Sequence, residues 1–383
     1  VEKLFSPKSF KEVSSRRTPS HVIPQPEEVL TSEDLGRFFF YYLGSPYRKG
    51  SEKEHLHYLA RWIYNRLLKE SSPWLEDLRV AMESPEEGDI SPYVNILKEL
   101  MPSFSATQFR DYAQCPYLHF CRHILRLEPL PSLVEKGLDA ILQGRIVHET
   151  LRKYYSAGGD IESIFQETFR RRTRGIPIGF REFRLKQDML KSLKALLELD
   201  KSYAALLPLR PSHEYLERRF GRDEIPALQL QDRDLGTIRV SGIIDRIDVA
   251  EIEGENLALV IDYKYSKYDL NGIRLKDIEE GRDLQLPIYL MAAKECLNLR
   301  PLGAQFFYMK PPGRSGIFNY GPLELASPPP LLKKGTHFTD EKGLEDLLET
   351  SREHLLKHAK GILAGNKSIT PWDTQNCVEG RCD

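Results

Sequence analysis

The segment "LVIDYKYS", residues 259–266, runs three apolar residues into a carboxylate, Asp262, and then an ammonium, Lys264. In a strand, side chains two apart point the same way, about 6.5–7 Å apart, so these two charges share a face. Upstream, "SGIIDRID" places Asp245 near one end of a second strand pattern. Two carboxylates at neighbouring strand ends suit a divalent cation with oxygen ligands. A lysine beside such a cation can orient or deprotonate water and offset charge on a phosphate oxygen. The Asp-x-Lys triplet also suits a plain ion pair at a strand end, and the triplet alone leaves both readings open.

Two helical patterns add further donors. "GRIVH" sets Gly144 and His148 four residues apart, on one helical face. The small residue is expected to allow close approach to the sheet, which brings the imidazole to the cation; a surface or core histidine is the alternative. "QLPIY" sets Gln285 and Tyr289 on one face of a later helix. The amide can hold the Lys264 amine or a phosphate, and the phenol can contact a nucleic-acid backbone. Against this stands ordinary amphipathic packing, because Leu284, Ile288 and Ala292 form an apolar stripe. Glu217 reads either as a fourth carboxylate near the site or as the partner of an arginine. Asp248 reads as structural, and Glu149 points about 100° away from His148.

These residues need a fold to bring them together. The chain has 383 residues, 40% hydrophobic and 29% charged, with a formal net charge of -1. That balance gives no global electrostatic case for nucleic-acid binding, so such a surface must be local. No segment approaches the roughly 20 apolar residues of a membrane span, and the polar N-terminus does not read as a signal peptide. The first residue is Val, so the chain is expected to be a fragment of a longer one. Residues 1–101 read as a linker and a helical accessory region, and residues 102–383 as the main domain. In that domain, helical patterns cover 103–125, 137–155, 161–175 and 181–207. Period-two patterns then cover 213–221, 227–234, 236–254 and 256–266. A helix over 281–299, strands over 303–310 and 316–325, a Pro-rich loop over 327–335 and a helix over 342–365 complete it. This order predicts an α/β core with a small mixed sheet flanked by helices. No GxGxxG and no GxxxxGK[ST] occurs, which counts against a nucleotide-phosphate cradle.

The ordered set Gly144-x-x-x-His148, Gly242-x-x-Asp245, Asp262-x-Lys264 and Gln285-x-x-x-Tyr289 resembles the RecB-like branch of the PD-(D/E)xK nucleases. The likeness is greatest to the nuclease domain at the C-terminus of RecB and of AddB-type helicase-nucleases. "SFSATQFRDYAQCPYLHF" resembles that family's lead-in, and the resemblance covers about residues 103–383. It implies a restriction-endonuclease-like core and metal-dependent hydrolysis of DNA, expected as an exonuclease of a helicase-nuclease in recombination and repair. The implied partners are DNA and a helicase or motor subunit, with no membrane and a cytoplasmic location. By the same resemblance, His148, Asp245, Asp262 and the Tyr263 carbonyl would bind Mg²⁺ or Mn²⁺. Lys264 would activate or position water, with Gln285 and Tyr289 supporting it and the substrate. A non-catalytic DNA-binding or scaffold module of the same fold is the alternative; intact Asp245, Asp262 and Lys264 favour the enzyme. A hydrolase of small phosphoesters would lack the accessory helices and the Cys-Pro lead-in.

The resemblance also bears on the cysteines. Several AddB-type nucleases hold an iron–sulfur cluster on one thiolate from the Cys-Pro helix and three from the tail. Cys115, Cys377 and Cys382 fall at matching places, and Cys121 or a cysteine beyond residue 383 would complete the four thiolates of a [4Fe–4S] cluster. Ordinary buried thiols are the alternative, and Cys296 reads as core. Arg170, Arg171, Arg172 and Arg174 form the densest basic run and are candidates for phosphate contact, as are Arg122, His123 and Arg126.

Overall fold

Helix starts follow side-chain caps. Ser105 accepts from the Gln108 N–H at 3.3 Å while Gln108 Oε1 accepts from the Ser105 N–H at 2.7 Å, a reciprocal cap that opens α1 (Ala106–Gln114). Pro116, whose missing N–H costs nothing at a first helical position, starts α2 (Pro116–His119), which runs on into a π-turn, Phe120–Ile124. Asp139 and Asp160 cap α3 (Ala140–Ala157) and α4 (Ile161–Arg172), and α5 (Phe180–Leu206) follows. The computed structural model describes residues 101–126, 138–222, 224–267, 275–323, 325, 327–332, 335–366 and 368. By its internal contacts the chain divides into two units, Val1–Gly88 and Asp89–Asp383. Residues 1–100 of the accessory region expected over 1–101 and the tail cysteines Cys377 and Cys382 lie outside the described residues.

The remaining elements are β1 (Arg210–Phe220), β2 (Leu228–Asp232), β3 (Gly236–Val240), β4 (Gly242–Ile252), β5 (Glu255–Lys267), α6 (Leu275–Glu279), α7 (Gln285–Glu295), β6 (Arg300–Lys310), β7 (Pro312–Phe318), β8 (Thr336–Phe338) and α8 (Glu341–Leu363). Six strands form one sheet in the order β1-β4-β5-β6-β7-β8. The β5–β6 and β7–β8 pairs are parallel and the others antiparallel. The expected mixed sheet is therefore present, with two differences in detail. The strand expected over 236–254 breaks at Ser241: β3 pairs with β2 in a separate hairpin, and β4 begins at Gly242. A β-carbon on Gly242 would lie 2.8 Å from the Phe220 ring, so the crossing of β1 and β4 needs glycine there. The strand expected over 316–325 is instead β7, which ends at Phe318; Asn319 Oδ1 accepts from the Gly321 N–H at 3.1 Å and turns the chain away.

Strand alternation sorts the core into two layers. Ala258 and Val260 of β5 face α1, α7, α8 and the β2–β3 hairpin. Leu257, Leu259, Ile261 and Tyr263 face α3, α4 and α5. Into this second, apolar layer is set an ionic cluster. Arg246, 2% exposed, binds Asp248 through Nε and Nη2 at 2.5 and 2.8 Å and Asp200 through Nη1 and Nη2 at 2.9 and 3.2 Å. It also donates to the Tyr263 hydroxyl at 3.1 Å. Tyr155 and Arg314 both donate to Asp200 at 2.5 Å. One guanidinium thus ties β4 to α5 and β5, and through Asp200 to α3 and β7.

Removing one partner of a buried pair leaves an uncompensated charge and costs about 3–5 kcal/mol. Asp200→Asn is expected to lower stability by that order in urea unfolding, whereas Lys201→Ala, which breaks an exposed pair with Glu198, should leave the urea midpoint almost unchanged. Burial works against the Asp200 carboxylate, but Arg246 and Arg314 hold its pKa below the usual range. A depressed carboxyl stabilises above its unfolded pKa of about 3.9, and the gain is lost as pH falls through the folded value. The gap between the parent and Asp200→Asn should therefore be full near neutrality and narrow only in strong acid.

Candidate active site

The pairing of β4 with β5 runs from Ile252–Glu255 to Arg246–Ile261 and stops there. Beyond it, Gly242–Ile244 pair with β1, and Asp262–Lys264 and Lys267 pair with β6. The next pair in register would be Asp245 with Asp262, so both carboxylates stand on one face at the point where the sheet opens. Asp245 Oδ2 accepts from the Tyr263 N–H at 2.8 Å, replacing a bond that β4 no longer supplies. The opening also lets the two helical layers meet: His148 of α3 approaches from one side and Gln285 of α7 from the other.

A continuous set of contacts results. His148 Nδ1 lies 3.3 Å from Asp245 Oδ1, with its ring edge-on to Tyr263 at 5.9 Å between centroids. The Lys264 ammonium lies 2.6 Å from Asp262 Oδ2, donates to Gln285 Oε1 at 3.0 Å and sits 4.7 Å from the Phe306 ring centroid. Gln285 Nε2 donates to Asp262 Oδ1 at 2.9 Å and to the Tyr289 hydroxyl at 3.2 Å. His148, Asp245, Asp262, Lys264, Gln285 and Tyr289 are therefore brought together. Tyr289 is 7% exposed and packs edge-on to Phe220; it bears on Gln285 from inside the protein, and does not face a substrate surface. Gly144 also departs from expectation: a β-carbon there would meet nothing within 4 Å, so it does not mediate close packing on the sheet but borders open space.

That space is a cleft of about 670 Å³ whose lining includes Gly144, His148, Arg152, Arg172, Glu217 and Asp245. Glu217, at a left-handed φ of 47° just after the β1 irregularity between Pro211 and Leu216, pairs with Arg152 at 3.2 Å. Burial raises its carboxyl pKa, Arg152 pulls against this, and Asp245 adds to it; both readings of Glu217 thus hold in part. Glu149, buried beside His148, accepts from Arg171 and, at 2.7 Å, from Arg172. Asp248 is structural, as expected, through Arg246. Arg122 and His123 turn onto Asp111 at 3.6 and 2.9 Å. On the Cys-Pro turn, Cys115 is buried and Cys121 half-buried, and burial and the two thiols together raise the Tyr117 hydroxyl pKa. Cys296 packs half-buried against the first layer.

The donor chemistry fits a hard divalent ion: two carboxylates and an imidazole, with oxygens dominant. Asp262 Oδ2 is buried and makes no geometrically sound hydrogen bond, despite the close ammonium. Burial raises the Asp262 carboxyl pKa, and Lys264 pulls against it. Burial also disfavours charged His148, yet Asp245 overrides it and, with Asp262, pushes the imidazole up to about 9. The carboxylates are thus turned onto two protein cations. Among the described residues, no three His, Cys, Asp or Glu side chains converge in a ready-made metal cage.

The sequence model of the PD-(D/E)XK nuclease superfamily matches residues 103–383. Relatives named as B-type subunits of the ATP-dependent helicase/deoxyribonuclease include that of Staphylococcus saprophyticus, 23% identical over 77% of this chain and 29% of its own. The Desulforudis audaxviator protein is 27% identical over 60% of this chain and 21% of its own, and that of Moorella thermoacetica 32% identical over 33% and 11%. The chain spans less than a third of the length of these relatives. With the family match running from the lead-in of α1 through the opened sheet and beyond it, this chain belongs to the PD-(D/E)XK nuclease superfamily.

Proposed function

We propose that the chain is the nuclease part of a helicase-nuclease and hydrolyses DNA phosphodiester bonds, as an exonuclease, in recombination and repair. The observation that carries this reading is the meeting of His148, Asp245, Asp262, Lys264 and Gln285 at the opening between β4 and β5. Mg²⁺ or Mn²⁺ would be held by His148, Asp245, Asp262 and the Tyr263 carbonyl. Such an ion supplies Lewis acidity to a phosphate oxygen and a more acidic bound water. Lys264 orients the attacking water and offsets the charge that grows on the phosphate. Gln285 holds the ammonium and Asp262 in one arrangement, and Tyr289 holds Gln285. The new bond joins the water oxygen to phosphorus, and the phosphorus–oxygen bond to the departing sugar breaks. DNA as substrate puts the enzyme in the cytoplasm, and no helix among the described residues is long and apolar enough to cross a membrane. The motor subunit is a proposed partner on the strength of the relatives' names.

Cys115 and Cys121, with Cys377 and Cys382, are the proposed ligands of a structural iron–sulfur cluster joining the Cys-Pro turn to the tail.

Asp262→Ala and Lys264→Ala should each abolish cleavage of linear DNA in Mg²⁺ or Mn²⁺ while leaving the circular dichroism unchanged; variants that cut like the parent would remove the site assignment. Divalent cation at about 100 times its Kd should stabilise the parent by about 2.7 kcal/mol, seen as a higher Tm that is absent from Asp262→Ala. Anaerobically purified protein should be brown with absorbance near roughly 400 nm, lost in Cys115→Ser; a colourless parent would refute the cluster.

A further inference from the structure

Between Arg170 and Lys186 the chain carries seven basic residues and one acidic one, although its net charge is -1. Three large apolar side chains are interleaved with them: Ile178, Phe180 and Phe183 are 49%, 80% and 52% exposed. Phe180 and Phe183 stand one turn apart at the start of α5, on one face of the helix. Ile178 and Phe183 line a groove of about 530 Å³ with Phe169, Arg170 and Lys186. Arg170, Arg174, Arg181 and Arg184 are exposed, and none of them makes an ion pair with a described residue.

The fold does not account for these residues. Basic side chains in the last turn of α4 complement the helix dipole, but Arg181 and Arg184 lie in the first turns of α5, where a positive charge opposes it. Phe180 and about half of Phe183 leave apolar surface in water that the fold does not bury. Exposed rings among unpaired guanidiniums are the composition of a surface for single-stranded nucleic acid: the rings take bases by their faces, and the cations take the phosphates. A duplex offers no free base faces within its length. A protein partner would have to supply a strongly acidic apolar surface to match the same patch.

We propose that this ridge is a second nucleic-acid contact outside the catalytic cleft. Unpaired bases stack on Phe180 and Phe183, and phosphates meet Arg170, Arg174, Arg181 and Arg184. The link to catalysis rests on the nuclease reading above. Arg171 and Arg172, next to Arg170 on α4, line the cleft that contains His148 and Asp245. Ridge and cleft therefore flank the last turn of one helix, about 10 Å across, and a strand held on the ridge continues towards the opened sheet.

The test is a titration of the full chain in EDTA, by anisotropy, with a labelled oligothymidine and with its duplex. Phe180→Ala/Phe183→Ala should weaken single-strand binding by roughly 5- to 160-fold per lost stack, change duplex binding by less than about twofold and leave the Tm unchanged. Phe180→Trp/Phe183→Trp should restore the single-strand affinity. Arg181→Gln/Arg184→Gln should reduce the salt slope by about 0.7 for each lost phosphate contact. Unchanged oligothymidine affinity, the result expected of a protein-docking ridge, overturns the proposal, and so does an equal loss on duplex. Binding in EDTA reads the ridge without cleavage, so an inactive parent would sink the nuclease reading alone. Failure of the ridge would leave metal-dependent hydrolysis of bis(p-nitrophenyl) phosphate intact.

Discussion

The candidate site depends on the separation of β4 from β5 one pair beyond Arg246–Ile261. Continued pairing would close the sheet over Asp245 and Asp262. Early separation has a cost, because a backbone N–H that loses its ladder partner and stays buried forfeits about 1–3 kcal/mol. Asp245 offsets part of it by accepting from the Tyr263 N–H. The Arg246 cluster does the rest from the opposite face. It holds β4 through Asp248, β5 through the Tyr263 hydroxyl and α5 through Asp200, so the last paired residues are anchored just where the strands diverge.

Charge is balanced locally on both faces of this junction. Beneath it, Arg246 and Arg314 face Asp200 and Asp248. At the opening, His148 and Lys264 face Asp245 and Asp262. The first set is sealed and rigidifying, since each member has its partner in a low-dielectric interior. The second borders a cleft.

The near-zero net charge conceals strong segregation. In the cleft, Arg152 is matched by Glu217, and Arg171 and Arg172 by Glu149, which fixes the direction of these guanidiniums and trims their field. On the adjoining ridge Arg170, Arg174, Arg181 and Arg184 have no such match among the described residues.

Much of the site was legible from local periodicity. The two-residue repeat of a strand put Asp262 and Lys264 on one face, and the four-residue helical repeat did so for Gln285 and Tyr289; these relations are internal to one element and need no knowledge of the fold. The mixed sheet and its flanking helices followed from the order of the patterns. One signal was present but unread: Asp200 lies in the apolar stripe of Leu193, Leu196, Leu197 and Tyr203, where a charge must find a buried partner. Its partner Arg246 lies 46 residues away, and only the packed layers name it. The same holds for the burial of Tyr289, the open space at Gly144 and the strand break at Ser241. Each depends on which element lies against which, and that is set by long-range register and layer packing, whereas side-chain direction within an element is set by backbone geometry alone.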